Sequence, residues 1–445
     1  MNKQPILNVG IMKSTHIEFI LETGYRVGTN MIPQGNYTIE LRKGKMILQG
    51  QSFLTISEEE IKLLPIFRTN SFVLKDVTIG IDFHWEQKED QRFTGGIRFF
   101  IDQDAIQVIN TIHLEDYLKS VISSEMSATS SVELLKAHAV ISRSWLIAQI
   151  NKKKEIAGRH SGFDSQTDTD LEHIRWYDRE DHHSFDVCAD DHCQRYHGIT
   201  KIISSTATGA VDDTIGEVLK SQQEICDARF SKCCGGVSEN FENNWEPLHK
   251  SYLVAVADKE PLGTSPNLNL TQEPLAREWI LSSPKAFCNT TDEKILSQVL
   301  PSFDQKTSDF FRWTIQYSQE ELSSLLKKKS GIDFGSILRL EPVERGPSGR
   351  IIRLRIVGNQ HSLIVGKELE IRKWLSDSHL YSSCFVVNYE EIEDGIPGKF
   401  IIRGAGWGHG SGLCQIGAAV MGEKGFTYDQ ILKHYFQGAR LERIY

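Results

Sequence analysis

Glu125 follows an apolar run, Leu114, Tyr117, Leu118, Val121 and Ile122, and lies in the turn Ser123-Ser124-Glu125-Met126-Ser127. A carboxyl at a helix end with apolar neighbours loses hydration, which favours its protonated form and suits a general acid. The plain alternative is an exposed turn glutamate. Lys136 and Arg143 stand seven residues apart on the next segment, close to two helical turns, so they share a face. That face either binds an acidic ligand, holds a catalytic carboxylate or is simply solvated.

A second group is His182-His183 with Cys188-Ala189-Asp190-Asp191-His192-Cys193. Thiolates and imidazoles are the usual zinc ligands, and two Cys with one or two His in so short a stretch can surround one ion. The spacing is not that of a zinc finger, and the alternative is a reduced or disulfide-bonded pair in a polar loop. Calcium is disfavoured, because a hard ion takes oxygen ligands. The third group is Gly-rich, from Gly404 to Gln415, with glycine at 404, 406, 408, 410 and 412. Such a run lets a backbone approach a ligand or another segment closely. Trp407 offers a flat face for a sugar ring, and His409 and Gln415 offer hydrogen bonds. No Gly-Lys-Ser/Thr follows, which excludes a P-loop. No Gly-x-Ser-x-Gly and no His-Glu-x-x-His occurs, so the usual serine-hydrolase and zincin signatures are missing.

These groups need elements to position them. Up to about residue 110 the pattern is β-rich: Tyr37, Ile39 and Leu41 alternate with polar residues, as do Met46 and Leu48 after Gly44, and Phe72 to Phe83 and Ile97 to Ile101 read as strands. Gly95-Gly96 reads as a turn. Residues 113–155 take helical spacing, with a second helix capped by Ser130 and Glu133. Residues 158–198 read as an irregular, His- and Asp-rich excursion, and strands return at 199–210 and 217–231. Residues 270–330 read as mainly helical, with a Ser318/Glu321 cap and a Gly331 stop. Leu338 to Val357 reads as a hairpin through Gly346-Pro347-Ser348-Gly349, and a last helix starts at Thr427 with Gln430. The expected fold class is α+β: a β-rich part over 1–110, a catalytic segment over 111–260, a mixed segment over 261–400 and the Gly-rich tail over 401–445 returning to one cleft.

The chain has 445 residues, 40% hydrophobic and 24% charged, and a net charge of −9. The acidic balance without a long basic run argues against nucleic acid as partner. No stretch reaches the roughly 20 apolar residues of a membrane span. Residues from Ile6 to Met12 read as a strand rather than an export signal. Eight cysteines are too few for a disulfide scaffold in a chain of this length.

In this order the motifs resemble the SpoIID/LytB family of cell-wall proteins. The matching stretches are Tyr117 to Met126, Leu134 to Val140 with Arg143, Cys188 to Gly198, Ala210 to Leu219, Phe230 to Glu239, the Gly-rich run, and Ile431 to Gly438. The family usually has Gln where His138 stands. The resemblance implies an enzyme acting on peptidoglycan glycan strands. It would be a lytic transglycosylase that cleaves between N-acetylmuramate and N-acetylglucosamine and leaves 1,6-anhydro ends. It also implies, as the alternative, a non-catalytic activator of a cell-wall amidase. By the same resemblance Glu125 is the catalytic acid, and Lys136, Arg143, His409 and Gln415 line or support its cleft. Cys188, His192 and Cys193 bind a structural zinc, with His182 preferred over His183 as fourth ligand. The family works in the cell envelope.

Overall fold

Alternation of apolar and polar residues builds the first part of the protein, as in Gly35–Arg42, where Tyr37 and Ile39 are buried and their neighbours are not. The computed structural model describes the chain apart from residues 1–2, 81–85, 128–129, 157–164, 178–181, 191–192, 203 and 300–308. The class is mixed α+β, and the chain divides into two compact units, each discontinuous in sequence. The first comprises Met1–Ala128, Asp181–Glu217 and Arg443–Tyr445; the second comprises Thr129–Glu180 and Val218–Glu442. Residues 111–260 are therefore shared between the two.

In the first unit, seven strands form one sheet in the order Val187–Cys188, Ile6–Ser14, Ala105–His113, Gly96–Asp102, Glu60–Pro65, Tyr25–Val27, Asn30–Ile32. Six form another: Gln87–Thr94, Ser71–Ile79, His16–Leu21, Gly35–Arg42, Lys45–Gly50, Leu54–Ser57. Their inner faces meet through Phe19 on Phe99, with centroids 5.4 Å apart, and Tyr25 on Phe72 at 6.3 Å. Gly95 joins strands of different sheets, so it turns a corner rather than a hairpin. The expected strand through Phe83 is seen as Ser71–Ile79, and residues 81–83 lie outside the described residues.

Strand Ala105–His113 runs directly into helix α1 (Leu114–Glu125), which buries Leu114, Tyr117, Leu118, Val121 and Ile122. The strand expected at 199–210 gives way to a helix, Ser205–Asp213. Ser204 caps it by accepting the Ala207 N–H at 3.3 Å, and Ala207, Ala210 and Val211 then fall on one buried face. An ion pair, Lys119 to Asp212 at 2.8 Å, joins this helix to α1.

In the second unit, helix α2 (Val132–Ile156) begins one residue later than the Ser130 cap implies. The Ser130 hydroxyl donates to the Gln298 carbonyl at 2.8 Å, and Ser131 takes the cap by accepting the Leu134 N–H at 3.3 Å. From Ala137 to Ile147 every residue of α2 is buried, as expected for a helix enclosed on all sides. The 158–198 excursion is less irregular than it reads: Gln166–Asp168 and Glu172–Arg175 join a sheet with Ser362–Gly366, Ile351–Gly358 and Ile337–Arg345. The hairpin through Gly346 to Gly349 forms with Arg345 opposite Ile351. Of the three expected capping boxes, those at Ser318/Glu321 and Thr427/Gln430 form, and the one at Ser130/Glu133 is replaced by the Ser131 cap.

Candidate active site and metal centre

Within the first unit, α1 ends at Glu125, a half-exposed residue whose Oε1 accepts the Arg195 backbone N–H at 3.2 Å. Earlier on the same helix, Tyr117 is fully buried and stacks on Tyr196, with centroids 4.9 Å apart and an interplanar angle of 24°. Its hydroxyl donates to Gln194 Oε1 at 3.3 Å. Burial, followed by Cys193, Cys188, Tyr196 and Glu125 nearby, pushes the Tyr117 pKa well above the ordinary phenol range, which keeps the hydroxyl a donor. The segment 193–196 is thus tied to α1 at two points.

The other end of this loop is fixed to the sheet. Val187–Cys188 pairs in parallel with Val9 and Gly10, Asp186 Oδ2 accepts the Asn8 N–H at 2.8 Å, and the Ala189 N–H donates to the Gly10 carbonyl at 2.9 Å. Phe185 covers Gly10 so closely that a Cβ there would lie 2.6 Å from the ring. Between these anchors His182, Cys188 and Cys193 offer donor atoms all within 4.8 Å of one another, with His182 Nε2 3.4 Å from Cys193 Sγ. Tetrahedral zinc, with bonds of about 2.3 Å to sulfur and 2.0 Å to nitrogen, sets such a pair about 3.5 Å apart. Two thiols and an imidazole are the donors zinc prefers, so these residues fit the ion. His183 is exposed and outside the cluster. His192 lies outside the described residues.

Lys136, Arg143, Trp407, His409 and Gln415 belong to the second unit. Lys136 is half-buried on α2. Arg143 is completely buried and donates to the Ala139 carbonyl at 3.4 Å, so the solvated-face reading does not apply to it. Gln415, the first residue of helix Gln415–Glu423, is buried with Nε2 3.0 Å from His138 Nε2. The amide donates there, which leaves the imidazole proton on Nδ1, 3.3 Å from Ser142 Oγ. A Gln at position 138 offers an oxygen acceptor in the same role, which accounts for the exchange.

The Gly-rich run packs against residues 229–239. Trp407 exchanges both backbone hydrogen bonds with Cys233, and Ser411 bridges to Glu239. Gly410 and Gly412 adopt φ of +79° and +75°; a Cβ on the first would meet the Arg350 guanidinium at 2.5 Å and on the second the Arg229 carbonyl at 2.1 Å. Trp407 stacks on Phe310, centroids 4.6 Å apart, and tilts against Tyr381 at 4.5 Å. His409 Nδ1 accepts the Ser411 N–H at 3.1 Å, and its ring meets Trp245 edge-on. Burial, then Arg229, Arg350 and Arg372, pull its pKa well below the ordinary histidine value, so it is neutral. Sequence reading missed two buried groups behind this run: Arg350, which donates to the Gly408 and Cys234 carbonyls, and Glu239, which accepts from Ser348, Asn240 and Asn243. Neither stands in a chemical motif, and only the fold brings them together.

Residues 102–220, which contain α1 and the thiol–imidazole loop, match the family model described as Stage II sporulation protein. Residues 239–412 match a model described as a domain of unknown function. Among the relatives is an uncharacterized protein of Brachyspira hyodysenteriae, 26% identical over 349 residues, covering 78% of this chain and 71% of that protein. The Amidase enhancer of Bacillus subtilis is 25% identical over 73% of this chain and 40% of its own length. Stage II sporulation protein D of the same organism is 25% identical over 76% of each. Over residues 102–220, and at about 25% identity over some three quarters of its length, the chain is similar to proteins of the SpoIID/LytB family, a likeness that points to a role related to the cell wall.

Proposed function

We propose that the protein is a peptidoglycan lytic transglycosylase acting in the cell envelope, with Glu125 as its general acid and base. The protonated carboxyl donates to the oxygen bridging N-acetylmuramate and N-acetylglucosamine, and the bond from that oxygen to the muramyl anomeric carbon breaks. Positive charge develops at that carbon. The Glu125 carboxylate then takes the proton of the sugar's own C6 hydroxyl, whose oxygen closes the 1,6-anhydro ring. No water is consumed, so one carboxyl suffices where hydrolases need two.

The observation that supports this reading is the placement of Glu125 at the end of α1, half-exposed and held by the Arg195 N–H of the adjoining loop, all inside the region that matches the family model. Cys188, Cys193 and His182, with His192 as fourth ligand, would hold a structural zinc. When bound, the ion supplies rigidity to the loop that presents Arg195, and takes no part in bond breaking. Lys136, Arg143, Trp407, His409 and Gln415 are proposed to support the glycan side of the site, Arg143 and Gln415 by positioning their neighbours.

A second reading, a non-catalytic activator of a cell-wall amidase, is favoured by the name of one relative. Incubating the full chain with glycan strands stripped of stem peptides separates the two. Mass spectrometry should find 1,6-anhydro-muramyl ends, and Glu125→Gln should lower their rate of formation by about 10²–10⁴-fold, the usual worth of a general acid. Absence of anhydro ends with the wild-type chain, or equal amounts from the variant, sinks the enzymatic reading.

A further inference from the structure

A second group of thiols lies in the second unit; of the residues assigned above, Gln415 follows one of them and Trp407 pairs with another through its backbone. Cys233 and Cys234 leave strand Phe230–Ser231, Cys414 ends the strand Leu413–Cys414 that pairs with it in parallel, and Cys288 comes from the loop after helix Glu273–Leu281. All four are buried, at most 2% exposed. The donor atoms of Cys234, Cys288, Cys414 and Asp258 lie within 4.8 Å of one another, and the Cys233 thiol reaches those of Cys288 and Cys414.

The sulfurs of Cys234 and Cys288 are 3.6 Å apart. A disulfide needs about 2.0 Å, whereas two thiolates on tetrahedral zinc stand about 3.8 Å apart. Surrounding groups favour thiolate charge. Cys414 is the N-cap of helix Gln415–Glu423, so it sits at the positive end of that dipole, and its sulfur accepts the Cys234 N–H at 3.2 Å. Two guanidiniums, Arg350 buried and Arg312 half-buried, abut the same backbone: Arg350 donates to the Cys234 carbonyl and Arg312 to the Gly235 carbonyl, each at 3.1 Å. Asp258 is already engaged. Its oxygens accept the Cys288 N–H at 2.8 Å and the Tyr435 hydroxyl at 2.7 Å, as expected of a carboxylate that orients a ligand rather than serving as one.

We infer that Cys233, Cys234, Cys288 and Cys414 form a second, wholly thiolate site for a thiophilic divalent cation of the zinc type, closed to solvent and structural. It is independent of the proposed glycan chemistry. The site cross-links three stretches up to 181 residues apart, which explains thiols where aliphatic side chains would fill the same space.

The test is the zinc content of the full chain purified under reducing conditions, with cobalt titration as a second readout. Wild type should carry two zinc ions per chain, and Cys288→Ser one. Because Cys288→Ser could prevent folding, the decisive sample is Cys193→Ser, which disables only the other cluster. It should retain one zinc, and its cobalt derivative should show the absorption of a four-sulfur tetrahedral site. Less than a tenth of an equivalent of zinc in Cys193→Ser with no such cobalt spectrum overturns the inference. So does a native intact mass lower by two daltons for each disulfide formed among these four.

Discussion

Gly412→Ala tests whether the Gly-rich run is a packing device. Its φ of +75° costs an alanine about 1–2 kcal/mol. The added Cβ would also lie 2.1 Å from the Arg229 carbonyl oxygen, so one backbone must retreat by about 1 Å to reach normal contact. That carbonyl accepts the Leu413 N–H at 3.0 Å, a bond worth about 1 kcal/mol that the retreat stretches or breaks. Overpacking of a filled interior adds about 1–3 kcal/mol. Together these give a loss of about 3–6 kcal/mol, or a fall in melting temperature on the order of 10 °C for a unit of this size. Gly425→Ala is the control: its φ is +84°, but a Cβ there meets nothing within 4 Å, so only the backbone cost applies. Thermal melts of the three proteins by circular dichroism supply the answer. Equal losses for the two variants refute the close-packing argument, because backbone conformation alone would then account for both.

Cys193→Ser removes one of the three clustered donors near Glu125. Bound zinc should fall by one ion per chain, with a lower melting temperature and a parallel loss of activity; unchanged zinc content refutes the ligand assignment. His379 supplies a pH signature. Burial first, then Arg372, Lys373 and Lys329, lower its pKa from 6.5 to about 4. The folded state therefore binds its proton later than the unfolded state as pH falls. Above pH 6.5 the residue contributes no pH dependence, and between about 6.5 and 4 its contribution to stability declines, by at most about 1.4 kcal/mol per pH unit. His379→Gln should flatten the urea-midpoint profile over that window, and an unchanged slope would falsify the assignment.

What could be read in the sequence was what local rules control. The capping boxes at Ser318 and Thr427, the alternation of Tyr37 and Ile39 and the turn at Gly346 to Gly349 depend on residues a few positions apart. His182, Cys188 and Cys193 were legible for the same reason, since they fall within a dozen positions. The segment 199–210 was misread because its Ile and Thr favour strands, whereas the Ser204 cap and the buried spacing of Ala207, Ala210 and Val211 decide for helix. Arg143 looked like half of a charged face, but α2 is enclosed on every side there, a consequence of distant packing that helical spacing cannot reveal. The cluster of Cys234, Cys288 and Cys414 was invisible for the same reason: 54 residues separate the first two and 126 the second two.

The Gly-rich run divides between positions that pack the fold and positions proposed for the glycan side of the site. Gly406, Gly410 and Gly412 face the backbone of the 229–239 segment and Arg350, and Gly404 faces the Trp313 ring, so a side chain at any of them would overlap atoms already there. The inward Gly408 and Cys234 carbonyls are satisfied by Arg350, and the buried Glu239 carboxyl nearby, its pKa raised by burial against its hydrogen bonds and Arg350, is held by Ser348, Asn240 and Asn243. The alternating residues differ. Trp407 and His409 are only half-buried, while Ser411 and Leu413 return to the interior and carry the chain to Cys414 and Gln415. Substitutions should divide accordingly. Changes at the glycines act first on stability, through overlap and positive φ, and take neighbouring residues with them. Changes at Trp407 or His409 leave that packing largely intact, so a loss of glycan binding there without a loss of melting temperature would belong to the side chain itself.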